Sequence, residues 1–432
     1  MSTVILKTDE LYTDFYTFEG VVKALNGVSV TVNQGETFGL VGESGCGKSV
    51  TVRSIMRIVQ TPGKIVDGKI VLFFRDSDRT EGIDILKRSE AFMTSMRGND
   101  ISMIFQEAST SLNPVLSIGY QVGESFYFHR LDQMLEETIE TVTDKLDGTK
   151  FFVVKWWRRL KIALFRRELR RLKNYKDEID TIDNELYALE EATDVKTVRR
   201  RNMLNRRRDQ AWKKDLLVQL VKRVPFLKRY QSDIQETVRS HVVSLLNSLG
   251  VPNSERCVDS YPHELSGGMQ QRIVIAIALA CNPILLIADE PTSNLDVTIQ
   301  AQIVDLIKTL KEKIISSVLF ITHDLGLVAE ICDRTGIMYA GDVCEVASVK
   351  EIFSNPLHQY TQGLLRSVPK AEQVEKLSTI PGTVPNLISP PTGCRFHPRC
   401  PHAMEICVKE KPPTIEVSDG HSVACHLYGE EE

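Results

Sequence analysis

The sequence predicts an α/β phosphate-loop fold that carries a long helical insertion and a small cysteine-containing carboxy-terminal domain. Three observations support this. The apolar stretch Thr37–Val41 runs into Gly42-Glu43-Ser44-Gly45-Cys46-Gly47-Lys48-Ser49 and then into a helical segment, the strand–loop–helix order that a phosphate loop needs. A second apolar run, Ile284–Ala288, ends in Asp289-Glu290, as a buried parallel strand does at a reactive sheet edge. Residues 131–232 then leave this pattern for Lys, Arg, Glu and Leu with the single proline Pro225.

A chain of 432 residues holds two or three units of about 100–200 residues. With 42% hydrophobic and 25% charged residues it buries a real core. Its longest apolar run, Ile273–Cys281, is nine residues and soon meets Asn282-Pro283, short of the roughly 18–20 that span a bilayer. The opening MSTVILKTDE lacks the basic flank and apolar core of a secretory signal. A cytosolic location follows, where thiols stay reduced, so the nine cysteines are read as packing residues or metal ligands. The net charge of −4 is uneven: residues 151–232 hold 23 Lys+Arg against 11 Asp+Glu, or +12, leaving −16 elsewhere. Such a block marks an inserted element with a partner of its own.

In chain order, residues 21–41 read as strands separated by a glycine-containing turn, and Val50–Val59 as the helix after the loop. Short apolar runs over 64–105 end at Ile101–Phe105, before Gln106. The insertion reads as long antiparallel helices. Ile284–Ala288 and Ser317–Thr322 read as core strands. From Ser348 the chain carries ten prolines and four of its nine cysteines. The boundaries that follow are 1–130 and 233–347 for the two parts of the nucleotide-binding domain, 131–232 for the insertion and 348–432 for the tail.

The loop glycines let backbone N–H groups wrap phosphate oxygens, and the following helix adds its positive end. Gly42, Ser44, Gly45, Cys46, Gly47, Lys48, Ser49 and Val50 form the expected cradle, with Lys48 on the β- and γ-phosphates and the Ser49 hydroxyl on Mg2+. Asp289 is placed to hold the Mg2+ shell, and Glu290 to polarise the attacking water. The plain alternatives are a glycine turn with an incidental lysine and a solvated helix cap before Pro291.

Leu265-Ser-Gly-Gly-Met-Gln-Gln271 before the apolar helix RIVIAIALA is a second glycine turn at a helix start, hence a second anion site. It resembles the signature motif of ABC ATPases. That resemblance implies an ABC-type nucleotide-binding domain whose insertion sits in the helical subdomain. It implies two cassettes facing head to tail, each signature closing over the partner's ATP, with Ser266, Gly267 and Gly268 on the γ-phosphate. By the same resemblance, Gln106 after ISMIF matches the Q-loop glutamine, a ligand of metal or water. Ser293-Asn-Leu-Asp296 matches the D-loop at the dimer interface, and His323 after SVLFIT the switch histidine. An aromatic upstream of the loop stacks on adenine in the family; Phe15, Tyr16 and Phe18 all lie in range, and Tyr16 is taken as the representative.

Beyond the cassette, SLNPVLSIGYQVGE, YPHELSGGMQQR, NPLHQYTQGLLRSVP and GCRFHPRCPHA resemble the oligopeptide/dipeptide/nickel importer subfamily everywhere except about 131–232. The chain departs at Gln359, where proline is usual, and at Asn294. The subfamily implies an ATPase subunit at the cytoplasmic membrane face, a second and usually different cassette, two transmembrane permease subunits and, indirectly, an extracellular binding protein. Its cargoes are peptides, oligosaccharides or nickel.

Cys394, Cys400, Cys407 and Cys425 are spaced C-x5-C-x6-C-x17-C. Four thiolates suit an iron–sulfur cluster or a tetrahedral zinc, or they are unliganded core residues; the resemblance implies a [4Fe-4S] cluster in a structural role. The insertion holds all three tryptophans, Trp156, Trp157 and Trp212. The plain reading is a hairpin with a solvated basic face and aromatics packed between helices; the alternatives are contact with anionic lipid or a transporter partner, and nucleic acid, which is not expected. A non-transport ABC ATPase acting on nucleic acid remains the competing function, since such proteins carry coiled coils at this point, though far longer ones. A phosphate-loop kinase or GTPase leaves LSGGMQQ unexplained.

Overall fold

The apolar runs become neighbouring strands because each is too short and too β-branched to stand alone and buries both faces against others. A computed structural model of the protein describes residues 3–74, 82–147, 152–188, 200, 203–204, 231–293, 295–313, 317–367 and 380–429. Trp212 and Asn294 lie outside the described residues. These residues form two compact units: 1–86 with 100–111 and 282–432, and 87–99 with 112–281.

In the first unit, β1 (Val4–Thr17), β2 (Gly20–Asn33), β4 (Gly63–Leu72) and β5 (Ile83–Asp84) form an antiparallel sheet in the order β2-β1-β4-β5. The second sheet takes β3 (Thr37–Val41), β6 (Ile101–Ile104), β7 (Leu285–Asp289), β8 (Ser317–Thr322), β9 (Arg334–Tyr339), β10 (Asp342–Ser348), β11 (Thr414–Ser418) and β12 (His421–Ala424). Its order is β11-β12-β10-β9-β3-β8-β7-β6. From β9 to β6 the pairs are parallel; from β9 outward through β10 and β12 to β11 they are antiparallel. Strands β3, β7 and β8 are buried at every residue.

The helix after the loop, α1, spans Lys48–Ile55, not Val50–Val59. It starts early because Gly47, at φ 106, is its N-cap, a left-handed conformation that glycine adopts at no steric cost. It stops early because Arg57 turns left-handed at φ 52.

The proline-rich tail is part of the first unit. Strands β11 and β12 extend the main sheet beyond β10. Buried Glu345 on β10 accepts the backbone N–H groups of Leu357 (2.8 Å) and His358 (2.9 Å) and meets His421 Nε2 of β12 at 2.8 Å. A buried carboxylate with three such partners is satisfied where a lone one would be costly.

The second unit is helical. It includes α2 (Ile118–His129), α3 (Leu131–Asp147), α4 (Phe152–Ala188), α5 (Gln231–Ser248) and α6 (Gly267–Leu279). Helices α3 and α4 run antiparallel, as their ion pairs Lys173–Glu136 and Lys176–Asp132, both 2.7 Å, demand. Lys161 of α4 pairs with Asp233 of α5 at 2.6 Å. Ile162 and Phe165 of α4 are buried, but Phe152, Val153, Val154 and Trp156 at its start are exposed. The expectation that the insertion's aromatics pack between helices therefore fits Phe165 and fails for Phe152 and Trp156, which are exposed in the helix's first turns.

Candidate active site

Parallel pairing brings four motifs to one sheet edge. Val41 lies opposite Thr322, Asp289 opposite Ile321 and Ile104 opposite Ala288. The carboxyl ends of β3, β8, β7 and β6 therefore deliver, side by side, the glycine loop, His323, Asp289-Glu290 and Gln106. This is the edge where open α/β sheets hold their ligands.

Gly42 opens the loop because nothing larger fits: a Cβ there would stand 2.1 Å from the Met338 carbonyl oxygen and 2.7 Å from Cys46 Sγ. Cys46 is buried, and burial raises its thiol pKa. Ser44 and Gly45 are exposed at the loop's crest, while Lys48 is 5% exposed. Lys48 Nζ donates to the carbonyls of Gly42 (2.7 Å) and Glu43 (3.1 Å). The lysine thus stays inside the loop it would serve, and a phosphate oxygen would replace these carbonyls as its partner. Val50 continues α1 behind Ser49.

Ser49 Oγ donates to Asp289 Oδ1 at 3.0 Å. A hydroxyl and a carboxylate at this distance are oxygen donors that suit Mg2+, which takes few protein ligands and keeps its waters. Burial pushes the Asp289 carboxyl above its usual range, opposed by the Ser49 hydrogen bond and by Arg53; a bound cation would reverse that shift.

Glu290 takes φ 47, a left-handed conformation costing a non-glycine residue about 1–2 kcal/mol. Its N–H is held by the Ile321 carbonyl at 2.9 Å. The turn aims its carboxylate between Gln106 and His323: Gln106 Nε2 donates to one oxygen at 3.2 Å, and His323 Nδ1 lies 3.2 Å from the other. Ser293 Oγ, at 3.0 Å from the carbonyls of both Gln106 and Glu290, ties the two segments together. A carboxylate held this way is chemically able to orient a water and accept its proton.

The remaining sequence-predicted residues fall elsewhere. Asp296 caps α7 (Val297–Lys313) by accepting the Ile299 N–H at 2.9 Å, and it is exposed. Tyr16 is exposed near the end of β1 with Lys64 Nζ 5.6 Å from its ring centre. Phe18 is fully exposed, and Phe15 pairs with Gly63 of β4. On the second unit, Ser266 caps α6, its Oγ accepting from Met269 N at 3.4 Å, with Gly267 and Gly268 as the first helical residues. Ser266 and Gly267 are exposed, so the helix start is open to an anion.

Cys394, Cys400, Cys407 and Cys425 line one cavity together with His358, His397, His402 and His426. Burial pushes the Cys394 thiol up to about 11 and raises those of Cys400 and Cys425. Among the described residues no group of three or more His, Cys, Asp or Glu is gathered for a single metal ion.

Two residues that sequence patterns did not single out reach the phosphate loop. Tyr360 Oη accepts the Glu43 N–H at 2.9 Å, and Arg399 meets the Glu43 carboxylate at 3.0 and 3.3 Å. They stand 317 and 356 residues from Glu43, and no local spacing signals such a contact.

Residues 25–293 match the family model described as ABC transporter, and 344–407 that of the oligopeptide/dipeptide transporter C-terminal region. The chain is 37% identical to the oligopeptide transport ATP-binding protein AppD of Bacillus subtilis, over all of this chain and 98% of AppD. It is 36% identical to the dipeptide transport ATP-binding protein DppD of the same organism, over 98% of this chain and 94% of DppD. The oligopeptide transport ATP-binding protein OppD, also of Bacillus subtilis, is 36% identical, over 98% of this chain and 89% of OppD.

Proposed function

The chain belongs to the ABC transporter family, in its branch of oligopeptide and dipeptide ATP-binding subunits, and from that premise we propose how its residues divide the work. It is the ATP-binding, ATP-hydrolysing subunit of an ABC importer. The observation that carries the mechanism is the shared edge where β3, β6, β7 and β8 end. ATP lies along residues 42–50 with Lys48 on its terminal phosphates. Ser49 and Asp289, with Gln106, would hold Mg2+, which would supply positive charge beside the phosphates. Glu290 takes the proton of the attacking water, Gln106 and His323 orient that carboxylate, and Ser266–Gly268 serve the nucleotide of a second cassette, with Asp296 at the same interface. The names of the relatives support peptides as cargo and disfavour a nucleic-acid ATPase.

The finer assignments rest on the same premise. The partners are a second cassette, two permease subunits and, through them, a binding protein, and the chain works at the cytoplasmic membrane face. No helix among the described residues is long and apolar enough to cross a membrane, so the pore is assigned to the permeases. Residues 131–232 act as an insertion of their own, and the exposed Phe152, Val153, Val154 and Trp156 beside exposed Arg159 support contact with anionic lipid. One preparation tests these points. Pulled from solubilised membranes, the chain brings down two membrane subunits and, alone, floats with anionic vesicles at low salt. Recovery on DNA or ribosomes would sink the importer reading, and failure to float would remove the lipid contact.

The four cysteines line one cavity, and four thiolates are the ligand set of an iron–sulfur cluster or a tetrahedral zinc; of the two we propose the cluster. Cys394, Cys400, Cys407 and Cys425 would hold it, and it would supply a rigid cross-link among segments too rich in proline to pack alone. Anaerobically purified protein should carry iron and sulfide with visible absorbance, both lost in Cys407→Ser; colourless, iron-free protein rules the cluster out.

A further inference from the structure

The phosphate loop contains a carboxylate, Glu43, immediately after Gly42. A negative charge there opposes the binding of a polyanion. The structure shows what offsets it. Arg399, whose side chain is 6% exposed, meets both Glu43 oxygens, Nη1 at 3.0 Å and Nη2 at 3.3 Å, the bidentate geometry in which guanidinium binds carboxylate best. The guanidinium is itself locked by the carbonyls of Pro381 (2.8 Å) and Ile380 (3.4 Å) and by Tyr339 Oη (3.3 Å), and it lies 5.6 Å from the Tyr339 ring centre. Tyr360 Oη takes the Glu43 N–H at 2.9 Å, and its ring packs at a tilt against Tyr339 and Phe396, centroids 4.7 and 5.5 Å away. Arg399 and Phe396 flank the cysteine positions 394 and 400.

We infer that the carboxy-terminal tail is a positioning clamp for the phosphate loop: Arg399 neutralises and draws aside Glu43, Tyr360 fixes its backbone, and nucleotide affinity depends on both. This rests on the nucleotide-site reading above. The tail touches no phosphate itself; it acts through Glu43. With Arg399 gone, an unpaired carboxylate in the loop that takes the phosphates weakens ATP binding about tenfold. Turnover at saturating ATP is little changed, since Glu290, Gln106 and His323 are untouched.

The test is a nucleotide titration of the full chain with a fluorescent ATP analogue, alongside KM and kcat and a melting curve. Arg399→Gln is expected to raise Kd and KM about tenfold with kcat within about twofold. Adding Glu43→Gln to it should restore Kd to within about threefold of wild type, because the offending charge is gone although every Arg399 hydrogen bond is still lost. A purely structural Arg399 gives the opposite pattern: the double variant binds as poorly as the single one, or worse. Should Arg399→Gln not fold, Tyr360→Phe and Arg399→Lys carry the test, the first weakening binding and the second keeping most of it. Kd within twofold of wild type in all these variants overturns the clamp, whatever happens to Tm. A wild-type chain that binds no nucleotide sinks the site reading and takes the clamp with it.

Discussion

Glu290→Gln is expected to leave nucleotide binding intact and to lower turnover by about 10^2–10^4-fold, the range a positioned general base contributes. Glutamine keeps the size of the side chain and one oxygen to accept from Gln106, now 3.2 Å away, so the loop and the Ser49–Asp289 pair keep their geometry. What is lost is the charge that accepts the water's proton. The left-handed backbone at residue 290, φ 47, is the same strain for either side chain. The checks are phosphate release at saturating ATP and a nucleotide titration of the same protein. With its mate cassette, the variant should also hold ATP in a long-lived dimer that size-exclusion chromatography resolves. Hydrolysis at the wild-type rate removes Glu290 from its role.

Gly267→Asp is expected to abolish ATP-dependent pairing while leaving this chain's own nucleotide affinity within about twofold. A Cβ at Gly267 meets no atom within 4 Å among the described residues, so the variant folds. A carboxylate in the first turn of α6 even favours the helix, by about 0.3–1 kcal/mol. The same carboxylate fills the anion cradle that Ser266 caps and repels the γ-phosphate it should close over. Loss of the partner's contribution to a site of this kind costs on the order of 10^2-fold or more in turnover. The measurement is dimer yield with the mate in the Glu290→Gln background, with the nucleotide titration as control. A trapped dimer that survives Gly267→Asp disproves the trans role of the signature, and lost affinity in the isolated chain would place that turn in its own site.

Both variants sit at residues that the sequence singles out. Lys48, Ser49, Asp289 and Glu290 were singled out from a glycine loop and an acidic pair at the ends of apolar runs, and Gln106 and His323 from the family resemblance; that all six lie along one sheet edge follows from parallel pairing. The start of α1 was misjudged by two residues and its end by four, since capping turns on the φ of Gly47 and Arg57, which apolar patterning does not encode. Within the insertion, the described helices α3 and α4 run antiparallel; the exposure of Phe152 and Trp156 was not legible, because composition does not say which aromatics of a helix are covered.

By itself, then, the sequence determined the chemistry: which residues can cradle phosphate, hold a cation or take a proton, each set by side-chain type and local spacing. Only the tertiary structure decided how the tail is used. Pairing β12 with β10 and packing Tyr360 and Phe396 against Tyr339 carry Arg399 to Glu43 across 356 positions. Such a contact depends on how distant segments share one core, and that sum of many small packing energies leaves no periodicity in either segment.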